Sequence, residues 1–208
     1  MKYIPMDRGR EGMTGPSICL ATVLIRHGQT EGNVSGIVQG QSDSPLTGEG
    51  ISSTRKKAGK LKDLTFDAVF CSDLPRAVHT LEILGDSLLT LPDPSFRRDI
   101  REIDFGDLAG LKRSEIMPRV FKHKANPDLN YPNGESGAQF NNRVRNFFLE
   151  LLETHFGKQV LVISHYGVLE TAARQFAGTP PHEKVIIGRD DIWEMTFQRN
   201  LSVVKRVF

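Results

Sequence analysis

The chain is poor in cysteine, in unbalanced charge and in long apolar runs. It contains two cysteines, Cys19 and Cys71, and its formal net charge is only +2. Two cysteines cannot supply a disulfide framework, so we expect both to be reduced thiols in a cytoplasmic protein. The small net charge, without a dense basic run, predicts no nucleic-acid or membrane partner. The longest apolar run, residues 18–25, is far too short to cross a bilayer.

Length and composition predict one globular domain. A chain of 208 residues with 38% hydrophobic and 25% charged residues can bury a core without metal or disulfide staples. Residues 1–17 mix charged residues with glycine and proline and lack the apolar segment of a secretory signal. We interpret them as a loose N-terminal extension. No linker or repeat divides residues 18–208, which we expect to form a single domain.

Strand-like and helix-like segments alternate along the chain. Three short runs have the composition of strands that are covered on both faces of a sheet. They are residues 18–25, 68–71 and 159–163. Three segments repeat apolar residues at helical spacing. They are residues 47–64, 77–88 and 140–152. Thr47 is placed to cap the first helix and Gly157 to end the last. This alternation predicts an α/β fold, a three-layer α/β/α sandwich with a mostly parallel central sheet.

Arg26 and His27 stand where the first apolar run gives way to polar residues. The carboxyl ends of parallel strands converge on one edge, which is where open α/β sheets bind ligands. That position makes His27 a candidate nucleophile. Further polar residues follow later strands or occupy short turns that could join the same pocket. They are Gln39, Gly40, Arg76, Glu102 and His165.

The chemistry that suits this set is phosphoryl transfer. Arg26 and Arg76 can grip phosphate oxygens through paired donors, and His165, if protonated, can neutralise charge that develops on those oxygens. A neutral His27 could attack phosphorus in line and form a phosphohistidine. Glu102 could give the leaving oxygen its proton and later take one from water. This scheme requires no metal.

In its motifs the chain resembles the histidine phosphatase superfamily, also called the phosphoglycerate mutase-like family. The motifs run in the family's order over roughly residues 18–180, which makes the match specific. They are Arg26-His27-Gly28-Gln29-Thr30 with Asn33, Gln39-Gly40-Gln41, Ser72-Asp73-Leu74-Pro75-Arg76, Arg101-Glu102-Ile103, Asn133-Gly134-Glu135-Ser136 and Ser164-His165-Tyr166-Gly167. The resemblance implies that His27 is the phosphorylated nucleophile and Glu102 the proton donor and acceptor.

The resemblance also assigns the residues around the substrate. It implies that the phosphate is surrounded by Arg26, Asn33, Arg76 and His165. It places Gln39 and Gly40 nearer the rest of the substrate. The expected substrate is a small phosphorylated metabolite, and neither a metal nor another cofactor is expected.

Three functions are compatible with these motifs. The chain looks similar to small bacterial phosphatases of the broad-specificity and α-ribazole types, which predicts a metal-independent phosphomonoesterase. The first alternative is a cofactor-dependent phosphoglycerate mutase. Such mutases carry a longer insertion after the position of Glu102, and the shorter sequence here favours hydrolysis because a phosphatase must admit water. The second alternative is a non-catalytic phospho-ligand or protein-binding module. The chain keeps the complete set of catalytic residue types, which argues against this alternative.

Some positions depart from the family pattern or compete with the predicted site residues. Gly32 and Tyr166 differ from the usual residues, as does the pair Leu108-Ala109, and we expect them to alter pocket shape rather than the core chemistry. Asp104 and Asp107 are carboxylates near Glu102 that could be confused with it.

Cys71 invites comparison with the cysteine phosphatases, which need five residues between the nucleophilic cysteine and an arginine. Only four separate Cys71 from Arg76. We therefore interpret Cys71 as a structural residue at a strand end.

Overall fold

The structure is a computed structural model that describes residues 19–88, 90–176, 185, 187–198 and 201–206. The predicted N-terminal extension, residues 1–17, lies outside the described residues. The strands of the described part are β1 (Leu20–Arg26), β2 (Ala68–Ser72), β3 (Pro94–Arg97), β4 (Gln159–Ser164), β5 (Ile192–Gln198) and β6 (Leu201–Arg206). Its α-helices are α1 (Glu31–Val34), α2 (Gly48–Leu61), α3 (Pro75–Gly85), α4 (Arg113–Ala125), α5 (Gly137–Thr154) and α6 (Tyr166–Phe176).

The strands form one sheet in the order β3-β2-β4-β1-β5-β6. The first four are parallel, whereas β5 runs antiparallel to β1 and β6 antiparallel to β5. This arrangement confirms the predicted α/β class with a mostly parallel sheet. Arg26 pairs with Ser164, and the amide of His27 extends the ladder with a 2.9 Å bond to the Ser164 carbonyl. The residues that follow β1 and β4 therefore leave the sheet at the same edge.

The two faces of the sheet carry separate hydrophobic clusters. In β1, Leu24 joins the cluster built with α5 and α6, whereas Val23 and Ile25 join the cluster built with α2 and α3. Successive strand residues point to opposite faces, so a strand covered on both sides is apolar at nearly every position; in β1 the buried Thr22 is the exception, and its hydroxyl donates to the Met195 carbonyl. The continuous apolar runs in the sequence follow from this arrangement, which is the predicted three-layer sandwich.

The helix ends follow local signals. Thr47 caps α2 as predicted, because its Oγ1 accepts a 2.9 Å bond from the Gly50 amide. Helix α2 ends at Leu61 rather than near residue 64, and α3 ends at Gly85 before reaching Leu88. Gly157 has a positive φ of 84° in the turn before β4, three residues after α5 ends.

A third, smaller cluster packs α4 against the loops at the carboxyl edge of the sheet. Its buried members are Val38, Leu108, Ile116, Val120 and Tyr131. The cluster fixes the loops that contain Gly40 and Glu102. Within the described ranges, no helix is both long and apolar enough to cross a membrane.

Candidate active site

His27 lies directly after β1 with 3% of its surface exposed. Its Nδ1 lies 2.8 Å from the Gly28 carbonyl, so Nδ1 carries the proton and donates it. Arg76 Nε approaches the other ring nitrogen, Nε2, at 3.3 Å as a donor. Burial, followed by the charges of Arg76 and Arg26, holds the pKa of His27 well below its ordinary value. His27 is therefore a neutral imidazole with a lone pair on Nε2.

Arg76 is fixed by the first turn of α3 and is almost fully buried. Its Nη1 donates to the Ser42 carbonyl at 2.7 Å and its Nη2 to the Gly40 carbonyl at 2.6 Å. With the bond to His27, these contacts use three of the five guanidinium N–H groups. Burial lowers the pKa of Arg76, but Glu102 and Asp43 act in the opposite direction. Nη1 also lies 3.7 Å from Asp43 Oδ1, and Nε is the donor that points to His27, where an anion can accept it.

Arg26 and His165 each bring a buried nitrogen that has no hydrogen-bond partner within the described part of the chain. These atoms are Arg26 Nε and His165 Nδ1, and a third such atom is Trp193 Nε1. Buried donors are nearly always paired. Because both Arg26 and His165 adjoin His27, their unpaired nitrogens indicate that this pocket is built for an acceptor-rich ligand. A phosphate group has the required oxygens.

His165 packs beside His27, with ring centroids 5.1 Å apart. Its Nε2 lies 2.7 Å from Ser72 Oγ at the end of β2. Burial is the largest cause of a lowered His165 pKa, followed by the charge of Arg76. His165 is therefore neutral in the resting pocket. When Ser72 donates to Nε2, the His165 proton sits on Nδ1, where it is available to a ligand.

Glu102 lies on the loop after β3, and backbone amides hold its carboxylate. Oε1 accepts a 3.0 Å bond from the Ile103 amide and Oε2 a 3.2 Å bond from the Gly167 amide. Its charge raises the pKa of both Arg26 and Arg76, so the carboxylate faces the same pocket.

The two neighbouring carboxylates have other partners. Asp104 accepts from the Gly106 amide at 2.9 Å, and Asp107 accepts from Asn133 at 3.1 Å. Of the three carboxylates, Glu102 is the one whose charge acts on the two arginines of the pocket.

Asn33, Gln39 and Gly40 line the loop beside Arg76. Asn33 forms a capping box with Thr30, whose amide donates to Asn33 Oδ1 at 3.2 Å. Gln39 is buried and binds Thr30 Oγ1 through Nε2 at 2.9 Å, while its Oε1 accepts from Ser44. Gly40 has a positive φ of 54°, and its carbonyl accepts from Arg76. The structure gives these residues roles in holding the loop, and their contact with a substrate stays a prediction.

Two of the departures from the family pattern, Tyr166 and Gly32, also have defined surroundings. The Tyr166 ring lies beneath the Arg26 guanidinium, 5.4 Å from its central carbon, and its hydroxyl donates to the Val185 carbonyl at 3.1 Å. Tyr166 therefore forms a wall of the pocket next to Arg26. A side chain at Gly32 would meet Ser44 and Gln39 at about 3 Å, so the small residue preserves the loop packing.

Sequence analysis missed Arg143, which supports the Glu102 loop from α5. Its guanidinium forms a two-bond ion pair with Glu135, at 2.6 and 2.9 Å. It also donates to three successive parts of the loop, the carbonyls of Asp99, Arg101 and Glu102, at 2.7 to 2.9 Å. The sequence signal was an arginine at helical spacing from Phe140 and Phe147, within the apolar stripe of α5 and seven residues after the Ser136 cap.

Lys57 was also missed. It lies on the buried face of α2 with 1% of its surface exposed, and its Nζ donates to the Arg26 carbonyl at 3.2 Å. Its spacing from Thr54, Ala58 and Leu61, all buried, places it in the apolar stripe of the helix. A lysine within an apolar stripe is the sequence feature from which Lys57 could have been identified.

Comparisons with known proteins agree with this geometry. The family model of the histidine phosphatase superfamily (branch 1) matches residues 22–206. The adenosylcobalamin/alpha-ribazole phosphatase of Escherichia coli (strain K12) is 32% identical over 163 residues, or 76% of this chain and 79% of that protein. A 2,3-bisphosphoglycerate-dependent phosphoglycerate mutase of Bradyrhizobium sp. is 38% identical over 122 residues, or 55% of this chain and 59% of that protein. The crystal structure of the alpha-ribazole phosphatase from Shigella flexneri superposes with a TM-score of 0.76 at 28% identity, covering 90% of this chain and 95% of that one.

Proposed function

The chain belongs to the histidine phosphatase superfamily, and from that membership we propose that it hydrolyses phosphomonoesters of small metabolites through a phosphohistidine on His27. The observation that carries the proposal is the state of His27. Its proton is committed to the Gly28 carbonyl, and its free Nε2 lone pair faces the buried guanidinium of Arg76. A neutral, fixed imidazole inside a cationic pocket is the nucleophile that attack on a phosphate dianion requires.

In the first step, His27 Nε2 attacks phosphorus and the ester P–O bond breaks. The 3.3 Å bond from Arg76 Nε is long, so Arg76 can transfer its donor from His27 to a phosphate oxygen at little cost. Arg26 Nε and His165 Nδ1, which have no hydrogen-bond partner among the described residues, donate to the same group. Charge on the phosphoryl oxygens is stabilised by these fixed donors. Glu102, which takes up a proton from solvent when the phosphate dianion binds beside it, gives that proton to the leaving oxygen.

In the second step, water attacks the phosphohistidine and the N–P bond breaks. The Glu102 carboxylate takes a proton from that water, which returns Glu102 to its acid form and His27 to its neutral state. The products are an alcohol and inorganic phosphate. The amides of Ile103 and Gly167 hold the carboxylate through both proton transfers.

The short connection after Glu102 favours hydrolysis over mutase chemistry. Only residues 103–112 separate Glu102 from α4, and they contain one short 3-10 turn, Gly106–Leu108. This short connection leaves water a path to the intermediate, whereas a mutase must exclude it. The alpha-ribazole phosphatase is matched over four-fifths of its length, so an α-ribazole phosphate is the first metabolite to test.

The direct test is hydrolysis of p-nitrophenyl phosphate by the full chain in the presence of a chelator. We expect activity in the wild type, its loss in His27→Gln and its retention in His79→Gln, an exposed histidine on α3. Rapid acid-free quenching and mass spectrometry should find a phosphoryl group on the peptide that contains His27. Full activity of His27→Gln would overturn the proposal.

The alternatives give different results with the same protein. Conversion of 3-phosphoglycerate to 2-phosphoglycerate that outpaces phosphate release would identify a mutase. Binding of phosphorylated compounds without turnover or adduct, across a panel of metabolites, sugar phosphates and nucleotides, would identify a binding module.

A further inference from the structure

Lys57 is a buried cation that the mechanism above does not use. Lys57 lies on α2, and its Nζ donates a hydrogen bond to the carbonyl of Arg26, the last residue of β1. That carbonyl belongs to the peptide bond that leads into His27. Burying an ammonium group is costly unless nearby groups compensate for the lost water.

Charged groups from several elements surround Lys57. Asp190 and Asp191, in the segment before β5, stabilise its charge. Arg26 from β1 and Lys60 from α2 oppose it. Burial is the largest influence, and together these effects lower the pKa of Lys57 to about 8. The field of Lys57 also extends to the imidazole, because it contributes to the lowered pKa of His27.

We propose that Lys57 is a positioning residue for phosphoryl transfer, which holds the end of β1 through the Arg26 carbonyl and adds positive potential behind His27. The proposal deepens the function proposed above and rests on it. Lys57 does not touch the substrate. It acts through the peptide bond that it anchors and through its field, which attracts the negative phosphoryl group at His27.

The charge and the hydrogen bond of Lys57 respond differently to pH. A neutral amine still donates to the Arg26 carbonyl, whereas the positive field is lost on deprotonation. We therefore expect kcat/KM to fall by about three- to tenfold as Lys57 loses its proton, and then to level off rather than reach zero. The other groups near this pH range do not interfere, because burial raises the pKa values of Cys19, Cys71 and Tyr166.

Bound phosphate should shift this transition upward. A phosphate dianion favours the charged form of Lys57, so its pKa is higher in the complex than in the free enzyme. The profile of kcat/KM reports the free enzyme and that of kcat reports the complex. We expect the alkaline fall to lie near pH 8 in kcat/KM and at higher pH in kcat.

The kinetic test compares wild type, Lys57→Met, Lys57→Arg and Lys56→Met between pH 6.5 and 10 with p-nitrophenyl phosphate. Lys56 is the exposed neighbour on α2 and serves as the matched control. We expect Lys57→Met, which lacks both the charge and the donor to the Arg26 carbonyl, to run below the alkaline level of the wild type at every pH and without the fall. Lys57→Arg should keep the higher level without the fall. Lys56→Met should follow the wild type. The proposal would be overturned if kcat/KM of Lys57→Met or of Lys57→Arg fell at alkaline pH as it does in the wild type.

A spectroscopic titration tests Lys57 without catalysis. The wild type is labelled with ¹³C at the lysine ε position and titrated with and without saturating inorganic phosphate, and the Lys57 signal is identified by its absence in Lys57→Arg. We expect one lysine to titrate near pH 8 and to shift upward in phosphate. A Lys57 signal that ignores phosphate would overturn the inference. A wild type that shows the shift but hydrolyses no phosphomonoester would overturn the proposed function alone.

Discussion

The Gly167 amide donates a 3.2 Å hydrogen bond to Glu102, which joins the first turn of α6, directly after His165, to a carboxylate 65 residues earlier. A Cβ atom at Gly167 would overlap Glu102 Oε1 more closely than real side chains permit. We therefore expect Gly167→Ala to displace the carboxylate and to lower kcat by roughly 10- to 100-fold on alkyl phosphates. The loss should be smaller on p-nitrophenyl phosphate, because p-nitrophenolate leaves without a proton. The measurement is the ratio of the two rates.

Two further variants serve as positive and negative controls for Gly167→Ala. Glu102→Gln should show the same dependence on the leaving group, more strongly. Gly59→Ala, on α2, places a Cβ where nothing lies within 4 Å and should leave both rates unchanged. Equal loss on both substrates in Gly167→Ala would mean that the substitution disturbs the start of α6, and not proton transfer from Glu102.

Arg143 is expected to contribute to stability and to rate through the same loop. Lysine at this position keeps the charge but loses the paired bonds to Glu135 and several bonds to the loop carbonyls. We expect Arg143→Lys to lower the free energy of unfolding by about 2 kcal/mol, since hydrogen bonds to charged groups are lost. It should reduce kcat more than KM. Urea denaturation and steady-state kinetics measure the two effects, with the exposed Arg145→Lys on the same helix as the control. Unchanged kcat would mean that the contacts of Arg143 with the loop do not position Glu102.

The elements that the sequence predicted are those with strong local patterns. Strands β1, β2 and β4 are buried on both faces, and helices α2 and α5 have clear caps and apolar stripes. Helix α4 lacks such a stripe, because Pro118 interrupts it and the large apolar Phe121 is exposed. Strand β3 is four residues long, mostly exposed and starts at Pro94, so its sequence is typical of a loop.

The site was predictable where it follows strand ends and motifs. His27 and His165 directly follow β1 and β4, and their side chains meet because the two strands are neighbours in parallel register. Lys57 and Arg143 act on backbone carbonyls that lie 31 and about 40 residues away. No local pattern encodes such a contact, because a carbonyl group is the same at every residue.

Cys71 should be chemically inert. Its side chain is fully buried, its Sγ lies 3.2 Å from the Ser72 carbonyl, and burial strongly raises the pKa of its thiol. The thiolate is the reactive form of cysteine. We expect N-ethylmaleimide to leave Cys71 unmodified in the folded protein, and Cys71→Ser to retain phosphatase activity. Peptide mass mapping after labelling at pH 8 measures the first. Rapid labelling with loss of activity would contradict the structural interpretation of this cysteine.

His27 and His165 make stability depend on pH in a predictable direction. Both are buried, and both have pKa values held well below 6.5, so the unfolded chain binds protons first as the pH falls. The stability present above pH 6.5 is therefore lost below it, at up to about 1.4 kcal/mol per pH unit for each histidine. We expect a loss of about 3 kcal/mol between pH 7.5 and 5.5, measured by urea denaturation. His165→Gln should remove about half of this dependence, whereas the exposed His79→Gln should retain all of it. An identical slope in His165→Gln would mean that the pKa of His165 is the same in the folded and the unfolded chain, which would contradict its lowering by burial.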